Sequence, residues 1–151
     1  MKLLLLGCSG FVGRELVPYL LQLGHAITLV SRQPQPFPTL VSERLNVLRL
    51  NPADSESWRH DGLDTALAAA DGVVNLAGEP IAEKRWTPAH CQLLLDSRVR
   101  TTELLVQAMA ALDAPPKVLV NGSAVGFYGT SETARFTESS ASGSDFLAEI
   151  C

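Results

Sequence analysis

The sequence predicts an α/β fold in which a parallel sheet is wound with helices on both faces, and three observations predict it. Strand-like and helix-like segments alternate from the first residue, the pattern of a doubly wound sheet. The first run, Lys2–Leu6, is continuously apolar after its lysine, as expected of a strand covered on both faces rather than one. A glycine-rich heptapeptide, Gly7-Cys8-Ser9-Gly10-Phe11-Val12-Gly13, stands between that run and the first helical pattern.

The elements follow in order. Phe11–Leu23 reads as a helix, with Phe11, Val12, Leu16, Leu20 and Leu23 on one stripe and Gly24 as the stop. Pro18 falls inside it and removes one backbone donor. Ala26–Ser31 is the second strand, and Gln33–Thr39, with Pro34, Pro36 and Pro38, is a loop. Leu45–Leu50 is the third strand; a short helix around Leu63, Leu67 and Ala70 precedes a fourth strand, Val73–Leu76. Thr87-Pro88 supplies an N-cap and a first-turn proline for a long helix running to about Leu112, where Pro115-Pro116 ends the segment. Lys117–Asn121 is the fifth strand, and Tyr128–Asp145 an exposed polar loop. Phe146–Cys151 opens a further helical pattern, so the 151 residues read as one nucleotide-binding domain forming the N-terminal part of a longer protein, cut before a C-terminal substrate domain.

Composition narrows the class. Hydrophobic residues make up 46% and charged residues 19% of the chain, ordinary values for a globular protein. The net charge of −4 argues against a polyanion binder such as a nucleic-acid-binding protein. No apolar stretch is long enough to span a membrane, and Leu3–Leu6 before Gly7-Cys8 is shorter than the ~7–15 apolar residues of a secretory signal. Cys8, Cys91 and Cys151 are odd in number and far apart. They suit reduced thiols in a cytoplasmic setting, with neither a disulfide framework nor a metal site.

In a doubly wound sheet, ligands sit outside the carboxyl ends of the strands, and the chemistry-bearing residues here follow strands. The heptapeptide fits G-x-x-G-x-x-G between a buried strand and an amphipathic helix, the setting of a Rossmann-type pyrophosphate site. Gly7 would make the tight turn, Gly10 would let the amides near the pyrophosphate, and Gly13 would bring the helix close. Ser9, Phe11 and Val12 complete the loop, and the helix start adds amide donors and partial positive charge. The second strand ends in Ser31-Arg32 with no acid before Glu43. A carboxylate there reads the ribose 2′-hydroxyl of NAD, whereas an arginine accommodates a 2′-phosphate. The expected cofactor is therefore NADP(H), with Arg14 a candidate second cation. Asp54 is placed either to reach the adenine amino group or to cap a helix, and Asn75-Leu76-Ala77-Gly78 forms a small wall for the cofactor. Glu79 reads as part of a polar cluster or a capped turn, and Trp86 as a substrate mouth or a hydrophobic anchor. His25, His60 and His90 are scattered without metal-ligand company.

Taken together, the glycine pattern, Ser31-Arg32, Asn75–Ile81, Lys84-Arg85-Trp86-Thr87, Asp96-Ser97-Arg98 and Ser123–Gly129 resemble the atypical extended short-chain dehydrogenase/reductases. More narrowly, they resemble the group labelled NAD-dependent epimerase family or NADP-dependent oxidoreductases. The resemblance runs over essentially the whole chain. It implies a Rossmann domain for NADP(H), followed by a substrate domain. Ordinary extended members use a Ser or Thr and a Tyr-x-x-x-Lys pair, the lysine lowering the tyrosine pKa. Ser123 matches the family serine and Tyr128 is the nearby phenol, but no Tyr-x-x-x-Lys pair exists; the expected region reads Ser144–Ile150. The expected function is an NADP(H)-dependent oxidoreductase or epimerase acting on a small molecule, with Ser123 and Tyr128 as catalytic candidates and Glu79 and Trp86 near the substrate. The alternative is a protein that binds NADP(H) without catalysis. The residues leave the substrate and the oligomeric state open.

Overall fold

The computed structural model describes residues 1–151. Five strands, β1 (Lys2–Leu6), β2 (Ala26–Ser31), β3 (Leu45–Arg49), β4 (Gly72–Asn75) and β5 (Val118–Asn121), form one sheet in the order β3-β2-β1-β4-β5. Every pairing is parallel. The α/β fold read from the sequence is the fold found, with strand ends moved by about a residue.

The leucines of β1 explain why a continuous apolar run was needed. Successive side chains point to opposite faces, and Leu4, Leu5 and Leu6 are all fully buried. Leu4 and Leu6 join Val30, Val73, Trp58, Leu63, Leu67 and Leu105 on one face, beneath α2 (Asp61–Ala68) and α4 (Thr101–Ala110). Leu5 joins Ile27, Leu29 and Cys8 on the other face, beneath Val17 and Leu21 of α1 (Phe11–Gln22).

The stripe read along α1 needs correction. Its buried residues are Gly13, Val17 and Leu21, with Leu16 and Leu20 packed beside them, while Phe11, Val12 and Leu23 are exposed. Phe11 and Val12 stand at the helix start above the carboxyl edge of the sheet, beyond the strands that would cover them. Gly24, at φ +86°, ends the helix as expected. Pro18 remains inside α1, and nothing around it explains its presence.

The long helix after Thr87 is also not uniform. Thr87 caps α3 (Pro88–Leu95), its hydroxyl accepting from the His90 amide at 3.2 Å. The helix then widens into a π turn, Asp96–Arg100, before continuing as α4. Such π turns recur at functional sites because they turn side chains out of the regular helical rows. A 3-10 turn, Val125–Tyr128, and a short helix α5 (Phe146–Glu149) follow β5. β5 departs from the expectation of strands covered on both sides. Leu119 packs into the α4 face, whereas Val118 and Val120, on the α1 side, are half-exposed.

Candidate dinucleotide-binding site

Strand order reverses between β1 and β4, and a crevice opens outside their carboxyl ends, as it does at such switch points. Each glycine of the turn has its own reason to be there. Gly7 has φ +70°, and a Cβ on it would overlap the Ala77 backbone, so the turn after β1 lies flat against the segment after β4. A Cβ on Gly13 would overlap the Cys8 carbonyl. Gly10 differs: its φ of −84° suits any residue, and a Cβ there would come no closer than 3.7 Å to anything outside its neighbours. Its smallness serves no contact within the chain and leaves room in the crevice.

Gly10 also caps α1 without a side chain, and the amides of Phe11, Val12 and Gly13 have no acceptor from the chain. They point out of the helix start, where an anion is favoured by both donors and helix dipole. Cys8, between the glycines, takes no part. It is fully buried, its thiol donates to the Leu6 carbonyl at 3.5 Å, and burial pushes its pKa up to about 12.

The crevice holds two connected cavities that share Gly7, Gly10, Ala77, Gly78 and Pro80. One, of about 380 Å³, is bounded by Phe11, Val12, Gly13, Leu76, Arg98 and Ser123. The other, of about 220 Å³, is bounded by Ser9, Ser31, Arg32, Asn51, Ala53 and Glu79. A further cavity of about 600 Å³ lies between the ends of β4 and β5 and the π turn with α4.

Most residues singled out in the sequence thus come together. Asn75 stands just behind them, almost fully buried. Its amide nitrogen donates to Asn121 (2.7 Å) and Thr102 (3.1 Å), and its oxygen accepts from the Ala77 amide (3.2 Å). It fixes the turn that presents Ala77 and Gly78.

Three residues lie off these two cavities, Asp54 and Trp86 in the second of the two roles that the sequence left open. Asp54 caps the 3-10 turn Ser55–Arg59, accepting from the Glu56 amide at 3.0 Å, and Asn51–Ala53 line the cavity in its stead. Trp86 donates to the Ile81 carbonyl at 2.8 Å and meets Phe146 edge-on at 5.7 Å. It is the anchor of its loop and lines neither cavity. Tyr128 stacks on Phe136 at 5.3 Å and meets Phe127 edge-on, outside both cavities. Tyr128 ends the 3-10 turn after β5, and only Ser123 of the two bounds the cavity.

Ser97 and Arg98 have no role legible in the sequence, although both stand in the Asp96-Ser97-Arg98 motif. The π turn aims them at the crevice. The Arg98 guanidinium lies where a Cβ on Gly78 would come within 3.0 Å of it, and it bounds both larger cavities without a carboxylate partner. Ser97 Oγ accepts from the Glu79 amide at 2.9 Å and donates to the Leu94 carbonyl.

Glu79 itself is nearly buried and carries the densest charge cluster of the chain. One carboxylate oxygen accepts from Arg32 Nη2 at 2.9 Å, and the other lies 3.7 Å from Lys84 Nζ. The hydrogen bond from Arg32 holds its pKa below the usual glutamate range against the opposing effect of burial, with help from the charges of Arg32, Lys84 and His90. A depressed folded pKa means that the pair stabilises the chain at neutral pH. That contribution is lost as acid takes the carboxyl through its folded value, below the ordinary range. His90 is buried, and its Nε2 has no hydrogen-bond partner.

Known proteins resemble this chain over nearly its whole length. The epimerase family protein SDR39U1 homolog, chloroplastic, of Arabidopsis thaliana is 38% identical over 151 residues, covering 96% of this chain and 40% of that protein. The epimerase family protein SDR39U1 of Homo sapiens is 33% identical, covering 99% of this chain and 46% of its own length. The chain therefore spans less than half the length of these curated relatives. A crystal structure of the human protein with NADPH superposes with a TM-score of 0.76 at 32% identity, over 99% of this chain and 46% of that one. A UDP-galactose 4-epimerase matches as well in fold, TM-score 0.76, at 16% identity, covering 99% of this chain and 48% of that one. The profile described as NAD dependent epimerase/dehydratase family matches residues 3–146, and the chain belongs to that family.

Proposed function

We propose that the chain holds NADP(H) along the carboxyl edge of its sheet, and that with a substrate domain it forms an oxidoreductase or epimerase acting on a small molecule. One observation carries the reading. Gly10 leaves unfilled space beside three free helix-start amides, in a crevice that continues to an arginine at the end of β2. A pyrophosphate fits the amides, and a 2′-phosphate fits Arg32, which uses one of its five donors on Glu79. NADPH in the structure of the human relative supports the same cofactor.

Arg32→Ala should weaken NADPH binding by ~1.5–3 kcal/mol, the range for a charged hydrogen bond, and leave NADH binding nearly unchanged. Titration calorimetry of both cofactors checks this. Equal losses would take the 2′-phosphate away from Arg32.

When bound, the nicotinamide would supply the hydride-transfer chemistry. The chain's own contribution is to bind and orient. Ala77 and Gly78 offer a flat wall, Ser123 presents a hydroxyl at the edge of the larger cavity, and Arg98 a cation beside it. Tyr128→Phe is expected to leave turnover of the full-length protein unchanged, because the stack on Phe136 keeps the phenol off the cavity. A fall of ~10²–10⁴-fold, typical of a lost general acid, would return Tyr128 to the mechanism.

The same placement favours a second reading, a protein that binds NADP(H) without turning over a substrate. Single-turnover oxidation of NADPH against a panel of carbonyl compounds separates the two, since a non-catalytic binder would leave the cofactor reduced throughout.

A further inference from the structure

The end of β2 lacks the acid that NAD sites place there, yet the fold supplies one from elsewhere. Glu79 arrives from the segment after β4, 47 residues along the chain from Arg32, and its carboxylate bounds the same small cavity. Its backbone is held independently of that arginine, because its amide is tied to Ser97 Oγ and Ser97 to the Leu94 carbonyl of α3. The side chains of Arg32 and Lys84 are largely exposed while that of Glu79 is not, so the cations are the movable members and the carboxylate the stationary one.

From this geometry we propose that Glu79 is a specificity-determining residue for the substituent at the ribose 2′ position. Its carboxylate offsets the positive charge at the end of β2 and narrows the margin by which the cavity prefers a 2′-phosphate to a 2′-hydroxyl. The proposal rests on the reading that this cavity takes the adenosine end of NADP(H).

The physical reasoning has two parts. A phosphate bound by Arg32 must share the guanidinium with a carboxylate at 2.9 Å and lies beside a like charge, an arrangement that discriminates by repulsion. A 2′-hydroxyl carries no charge to be repelled, and a carboxylate can accept its proton in a hydrogen bond, as the acid of an NAD site does. Arg32 and Glu79 therefore favour opposite cofactors, and the preference of the cavity is a property of the pair. Lys84, on the far carboxylate oxygen, partly restores the preference for phosphate by neutralising Glu79.

Calorimetric binding of NADPH and NADH to the full-length protein tests this through their selectivity ratio, which a general loss of loop structure would not move. Glu79→Gln should raise the NADPH:NADH ratio about tenfold, within the coupling range of residues in contact. The gain should shrink in an Arg32→Ala background, where only the direct repulsion between carboxylate and phosphate remains, and Glu79→Asp, which keeps the charge, should not show it. Lys84→Gln, at an exposed position that does not endanger folding, should shift the ratio the opposite way. If Glu79→Gln weakens both cofactors equally, Glu79 merely holds its loop and the proposal is overturned. If it lowers the ratio, Glu79 orients Arg32 for the phosphate, and the proposal is overturned as well. Should Glu79→Gln fail to fold, an unchanged ratio in Lys84→Gln overturns it. Failure of the wild type to bind either cofactor is a separate result, which removes the cavity assignment itself.

Discussion

Gly13→Ala should cost the chain a large part of its folded stability. A single added methyl at Gly13 would overlap the Cys8 carbonyl, and neither partner can swing aside. Gly13 lies in the first turn of α1, whose Val17 and Leu21 pack on β1 and β2, and Cys8 is sealed beneath it with no exposed surface. Overpacking by a methylene costs ~1–3 kcal/mol where a side chain can adjust. Here backbone meets backbone, so the loss should exceed about 3 kcal/mol, a large part of the ~5–15 kcal/mol that holds a domain together. Urea unfolding followed by circular dichroism measures it. A midpoint equal to that of the wild type would mean that α1 can shift along the sheet without loss.

Gly10→Val, three residues earlier in the same motif, should do the reverse, keeping the fold and losing the cofactor. The backbone at Gly10 is extended, with φ −84° and ψ −165°, a region that a β-branched residue adopts readily. A Cβ there meets nothing closer than the Gly7 carbonyl at 3.7 Å, so the unfolding midpoint should barely move. The added branches would instead stand in the crevice in front of the Phe11, Val12 and Gly13 amides, where a pyrophosphate must come within hydrogen-bond distance. Calorimetry should then detect no binding of NADPH. Normal affinity in a folded Gly10→Val protein would place the phosphate site elsewhere. The two glycines thus separate stability from binding within seven residues.

The element order was legible because local patterns carried it. The run Leu3–Leu6, the Gly24 stop and the Thr87-Pro88 helix start each state their role in adjacent residues, and each is found where it was read. Legibility ended where local pattern and tertiary cover part company. Phe11 and Val12 continue a helical stripe in the sequence yet stand exposed, since burial depends on what lies opposite and no strand extends beneath them. The π turn Asp96–Arg100 is invisible to a 3.6-residue period, and with it went the placement of Ser97 and Arg98. Tyr128 follows β5 in sequence, as a catalytic phenol would, but the 3-10 turn sends it to Phe136.

What the sequence by itself determined is the α/β class, the glycine turn and the arginine after β2, because a strand, a tight turn and a helix start are each built from neighbouring residues. Only the tertiary structure decided which charges meet. Arg32 reads as a free cation until the order β3-β2-β1-β4-β5 brings the loop after β4 across the crevice and sets Glu79 against it. Coulombic pairing depends on distance in space, and the sheet turns a separation of 47 residues into a hydrogen bond of 2.9 Å.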